Sequence, residues 1–213
     1  MLLKSLSCLS LLAASSIVLA LPDLPEPVSN NAVASTSIRD KTYVLSVGGI
    51  APGKNTADQH NKVWLLTVGE FSWNSLPALP SQQRLAGRIG ISAVALNNNF
   101  FIFGGAFMQS DGNVTTASDS YRLDPVTRRF TRLNDMPVPV DHAAAVSHQN
   151  RYIYLVSGWS DHGAVNLVQV FDNFTQRWSQ ATPFPGAPVF GHAATIAANQ
   201  LVCLLYTSPS PRD

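Results

Sequence analysis

The chain has 213 residues, 46% apolar and only 13% charged, with 14 lysines and arginines set against 13 aspartates and glutamates. That apolar content supports a sizeable core and excludes wholesale disorder. A net charge of +1, with Arg128-Arg129 as the only adjacent basic pair, excludes the clustered basic face that a nucleic-acid partner requires.

Residues 1–20 differ in character from the rest. Lys4 gives a short positive region, Leu6 to Leu19 form an apolar run broken by serines, and Val18-Leu19-Ala20 places small residues at a cleavage position. The pattern predicts a secretory signal peptide cut after Ala20. The run is shorter than the ~20 apolar residues of a spanning helix, and no later stretch is longer. The mature chain is therefore expected to be secreted or periplasmic, with no membrane association. Cleavage removes Cys8 and leaves Cys203 alone, so no intrachain disulfide can form.

Beyond Leu21 the sequence repeats. An apolar run ends in a small-residue pair three times, at Gly48-Gly49, Gly104-Gly105 and Ser157-Gly158, with the second members 56 and then 53 residues apart. Downstream of each comes a strand carrying an aromatic (Trp64, Tyr121, Phe171) and then another (Trp73, Phe130, Trp178). Each unit closes on prolines, at Pro77 and Pro80, Pro137 and Pro139, and Pro183 and Pro185. The turn between the last two strands is marked by Asp124-Pro125-Val126-Thr127 and by Asp172-Asn173-Phe174-Thr175, whose side chains supply local hydrogen bonds and preset dihedrals. Four short strands per unit predict an all-β chain. The glycines are expected where φ is positive or where a neighbouring backbone leaves no room for a Cβ. The units run over about 27–80, 84–139, 140–186 and 187–202, the last incomplete.

A repeat of this period, with these diglycines and aromatics, resembles the kelch family. The resemblance is strongest from Phe100 to Pro137 and from His142 to Pro185. In the first unit Val68-Gly69-Glu70 replaces the Asp-Pro turn, and in the third Ser157 replaces the first glycine. It implies a β-propeller truncated to three blades and the start of a fourth, with a β-sandwich as the competitor. Propellers run to about 4–8 blades, so three and a fragment are expected to leave blade faces open. The fourth unit opens at Val189-Phe190-Gly191-His192 and is expected to lose its second strand almost at once. Residues 203–213, Cys-Leu-Leu-Tyr-Thr-Ser-Pro-Ser-Pro-Arg-Asp, resemble a transposon-based sequencing adaptor read as protein and are expected to be an artefactual tail.

Six residues stand out as candidate ligand contacts. His142 and His192 are read as equivalent repeat positions at the mouth of a central channel, either touching a sugar or holding an inter-blade loop. Asp161 and His162, with Asp141 nearby, add a carboxylate and a base on one face. Arg84 and Arg88 follow the first unit's prolines. The Arg84 guanidinium is expected to orient an anionic sugar or to pair with a carboxylate between blades. Asn113-Val-Thr115 and Asn173-Phe-Thr175 fit the N-glycosylation pattern, which matters in a eukaryotic secretory pathway. Asn173 also reads as a turn residue. No histidine or cysteine spacing makes a metal site, and no cofactor motif occurs.

The expected function is therefore a binding propeller for a glycan or protein ligand. The alternative is an enzyme: Leu21-Pro-Asp-Leu-Pro-Glu-Pro-Val28 is similar to the start of exported bacterial kelch proteins that interconvert the anomers of N-acetylneuraminate. Such a mutarotase needs acid–base groups and no cofactor.

Overall fold

The computed structural model describes residues 20–204. The expected leader, apart from Ala20, and the adaptor-like residues 205–213 lie outside the described residues. The first unit folds into β1 (Ala32–Ile38), β2 (Lys41–Val47), β3 (Val63–Thr67) and β4 (Asn74–Leu76), paired in that order. The second adds β5 (Ser92–Leu96) and β6 (Asn99–Phe103), a small hairpin of β7 (Ala106–Met108) and β8 (Val114–Thr116), then β9 (Ser120–Asp124) and β10 (Arg129–Arg132). The third repeats the plan with β11 (Ala144–His148), β12 (Tyr152–Val156), a hairpin of β13 (Trp159–Ser160) and β14 (Gly163–Ala164), β15 (Val168–Asp172) and β16 (Arg177–Gln180). Finally, β17 (Ala193–Ala197) pairs with β18 (Gln200–Leu204).

These are three four-stranded antiparallel blades and two strands of a fourth, an all-β partial propeller. The first strands β1, β5, β11 and β17 neighbour one another around the axis. They are alanine-rich (Ala32 and Ala34, Ala93 and Ala95, Ala144 and Ala145, Ala193 and Ala194) because converging sheets leave little volume there.

The core lies between blades rather than within one. Leu45, Val47, Val63 and Leu65 of the first blade meet Phe100, Ile102, Tyr121 and Leu123 of the second. Phe101 and Phe103, on the second blade's other face, meet Ile153, Leu155 and Phe171 of the third. Phe171 packs on Trp178 with ring centroids 5.1 Å apart, and Phe103 meets Trp178 edge-on at 5.5 Å.

Local chemistry explains each turn. Asn97-Asn98, Gln149-Asn150 and Ala198-Asn199 join the first two strands of their blades with positive φ at both residues, the twist-matched two-residue turn. Asp124 Oδ1 accepts the amides of Val126 and Thr127, at 2.8 and 3.1 Å, and Asp172 does the same for Phe174 and Thr175. At the small-residue pairs, a Cβ on Gly104 would collide with the Val140 carbonyl. Ser157 takes the same left-handed conformation (φ 58°) and engages its hydroxyl, which donates to Val165 O at 2.6 Å and accepts from Val189 N at 3.2 Å.

Register fixes three further points. Leu123 opposes Phe100 and Phe171 opposes Ile153, so Phe171 stands level with Leu123 and not with Tyr121. Trp73, Phe130 and Trp178 do share a level, and the indoles of Trp73 and Trp178 donate to Pro22 O and Asn134 O, each at 2.9 Å. Leu21-Pro-Asp-Leu-Pro25 is thus the counterpart of Leu133-Asn-Asp-Met-Pro137, the linker that precedes a blade. Lastly, the fourth unit keeps its second strand, since Cys203 and Leu204 pair with Ala194 and Ala193.

Candidate functional site

Because strand direction alternates within a blade, the loops joining second to third strands and the linkers joining blades emerge on one face. Every candidate contact residue sits in those segments. The face is built on a seam of backbone hydrogen bonds. Gly90 N donates to Asn30 O (3.1 Å), His142 N to Gly90 O (2.7 Å) and Gly191 N to His142 O (2.9 Å). All four residues have φ between 50° and 65°. His142 is therefore equivalent to Asn30, Gly90 and Gly191, while His192 is level with Ala143 and Ile91. The two histidines are one position apart, which corrects their expected equivalence.

The consequence is two different environments. The His142 ring lies over Gly90, where a Cβ would strike it, and its Nδ1 bonds the Asp141 carboxylate. His192 packs beside Phe184, at 6.2 Å between centroids, with both ring nitrogens buried and no hydrogen-bond partner among the described residues. Burial pushes its pKa down.

Arg88 is fully buried between the first two blades. Its guanidinium donates to Pro80 O (2.7 Å) and Asn61 Oδ1 (3.2 Å) and faces Asp119 Oδ2 at 3.5 Å. Desolvation lowers its pKa, opposed by Asp119 and Tyr121. The inter-blade ion pair expected at Arg84 is made instead by Arg88. Removing one partner of such a pair costs about 3–5 kcal/mol, so the role is architectural. Arg84 is exposed at φ 56°. Asp161 and His162 are exposed, and Asp161 Oδ1 accepts Thr116 N at 3.0 Å.

What these loops do form is a cleft of about 270 Å³ lined by Ile89, Met108, Val114, Trp159, Phe190 and the Asp141–His142 pair, with Ala106 at its wall. Phe190 meets Trp159 edge-on at 5.0 Å and the His142 ring at 6.4 Å. The β7–β8 hairpin that forms one wall is tethered on both sides. Gln59, from the first blade's loop, exchanges two hydrogen bonds with Met108 (2.7 and 2.8 Å), and Asp161, from the third blade's loop, holds Thr116. Asp161 thus positions the wall. Of the six candidates, only His142 lines the cleft. Trp159 directly after Ser157-Gly158, and Phe190 directly before Gly191, were the sequence signals for its aromatic wall. Met108 and Val114 gave none, because the hairpin that presents them interrupts the repeat.

The stretch 31–208 matches the family described as the KLHDC2/KLHL20/DRC7 Kelch-repeats domain. Kelch-like protein 15 of Gallus gallus is 31% identical over 109 residues, covering 51% of this chain and 22% of that protein. Beta-scruin of Limulus polyphemus is 25% identical over 160 residues, 72% of this chain and 16% of that protein. In fold, the chain is similar to YjhT, with a TM-score of 0.66 at 18% identity over 85% of this chain and 59% of that one. The chain therefore spans about a fifth of the length of these curated relatives and under two thirds of YjhT. Three blades built on one register, joined by left-handed seams and matched from 31 to 208, place this chain in the KLHDC2/KLHL20/DRC7 kelch-repeats domain family.

Proposed function

We propose that this kelch propeller is a non-catalytic binding module, acting outside the cytoplasm, whose protein ligand inserts one large apolar side chain into the Trp159–Phe190 cleft. The observation that carries the reading is the convergence of apolar side chains from four separate segments on one polar pair, Asp141–His142. A propeller of this family is in general a protein-interaction module. At about 270 Å³ the cleft is smaller than the roughly 300–1,000 Å³ usual for small-molecule sites, and it suits a single side chain better than a whole sugar. Export is supported by the leader pattern of residues 1–20.

The test is selection from a displayed peptide library on the immobilised chain. Enriched peptides should share one large apolar residue. Trp159→Ala should weaken them roughly 30-fold, the ~2 kcal/mol scale of a central aromatic. Peptides that bind Trp159→Ala and Phe190→Ala as tightly as the parent would refute the cleft as the site.

A second reading, mutarotation of N-acetylneuraminate, draws on the same Asp141–His142 pair, an acid–base couple beside an aromatic wall. The Leu21–Val28 likeness also favours it, although Pro22 in that segment serves as a linker contact for Trp73. Anomer exchange followed by NMR, no faster with protein than in buffer, would dismiss this reading and leave the first intact.

A further inference from the structure

We propose that Asn113, at the free tip of the β7–β8 hairpin, is an N-glycan acceptor that places an oligosaccharide at the rim of the cleft. The inference rests on the export reading above. It starts from the sequon Asn113-Val114-Thr115, and three structural observations give that sequon a use.

The first is accessibility. Asn113 and Val114 are exposed, and the tip turns through Gln109–Asn113, with Gln109 N donating to Asn113 O at 2.8 Å and Gly112 at φ 86°. Among the described residues the Asn113 side chain bonds only Asp111, Nδ2 to Oδ2 at 2.7 Å, so a glycan there displaces one exposed hydrogen bond. A Cβ added at Gly112 would meet nothing within 4 Å, so the space around the tip is open.

The second is support from beneath. The hairpin is tethered at Gln59 and Asp161, so a bulky hydrophilic group at its tip does not have to be accommodated by moving the base. The third is location. Val114 lines the cleft, so the glycan on the preceding residue stands directly beside the entrance. Asn173 contrasts with this. It is half-buried on the opposite face, where its backbone and side-chain oxygens accept Gln176 Nε2 at 2.6 and 3.2 Å and its amide donates to Arg151 O.

The reaction is a glycosyl transfer from a lipid diphosphate oligosaccharide, carried out by a membrane transferase. Asn113 Nδ2 attacks the anomeric carbon and a C–N bond forms. The C–O bond to the diphosphate breaks, the lipid diphosphate leaves, and the amide nitrogen gives up one proton.

The full chain should be translated with endoplasmic-reticulum microsomes, once with its own residues 1–20 and once with an unrelated cleavable signal in their place. With the unrelated signal, protease-protected chains are expected to carry a glycan that peptide N-glycosidase removes. Digestion in heavy-oxygen water should mark Asn113 as labelled aspartate. Asn113→Gln and Thr115→Ala should each abolish that label, and Asn173→Gln should leave it. A protected chain with no label at Asn113 overturns the proposal. If the chain's own leader leaves it unprotected while the exchanged signal yields the Asn113 label, the export reading fails and the acceptor assignment stands.

Discussion

Among the described residues, His60 Nδ1 and both ring nitrogens of His192 are buried without a hydrogen-bond partner. Desolvation depresses both pKa values below the ordinary 6.5, helped at His60 by Lys62. In the unfolded chain these imidazoles titrate near 6.5, so below that pH the unfolded state holds more protons than the folded one. Stability therefore rises with pH through this window and is lost as pH falls. The urea midpoint should drop between pH 7 and pH 5, and His192→Phe with His60→Gln should flatten that drop. An unchanged slope in the double variant would show that these rings do not carry it. The window is separate from that of Asp172, whose carboxylate is held below the usual range by the Arg151 guanidinium, with the amides of Phe174 and Thr175 assisting against desolvation. At this scale the sequence was partly legible. It singled out Arg88, but charge type alone could not show whether a guanidinium faces a ligand or Asp119. The contact that decides this spans 31 residues of sequence. His142 and His192 misled because a one-residue offset between linkers is invisible without the seam that aligns them.

The hairpins and diglycines are where local sequence and fold agree. Gly104 is fixed by two demands at once, φ of 61° and contact with the Val140 backbone, whereas Gly112 meets only the first, at φ 86° with nothing near. Gly104→Ala should cost roughly 2–4 kcal/mol, left-handed strain plus overpacking, against about 1 kcal/mol for Gly112→Ala. Equilibrium denaturation of both variants checks this, and equal losses would mean that the close approach contributes nothing. Turn chemistry at Asp124 and Asp172 was readable because it is short-range. The β7–β8 hairpin was not: its strands are three residues each, below any useful period, and its place is set by Gln59 and Asp161 from other blades.

At the scale of the molecule, the number of strands per unit and the packing between blades followed from periodicity, since a sheet apolar on both faces must be covered on both. Val33 on the first blade is 59% exposed and Leu204 in β18 is 67% exposed, so among the described residues the outermost faces are covered only in part, Leu66 on the first being buried. Among the described residues β18 also pairs on one side only. A polypeptide of these 213 residues, 22.9 kDa as a monomer, should elute from gel filtration above that mass or across a spread of masses, and should melt broadly. A single symmetric peak at the monomer mass with a sharp transition would contradict this.

The seam through Asn30, Gly90, His142 and Gly191 uses main-chain atoms only, and the four residues share nothing but tolerance of a left-handed backbone. Architecture and chemistry are therefore uncoupled at that circle of positions. Duplicating a blade copies the joint without copying what the joint displays. Each copy can then drift between a bare glycine, an amide and an imidazole while the closure of the joint stays the same. Histidine at 142 is one setting of such a dial, and the propeller would stand with another.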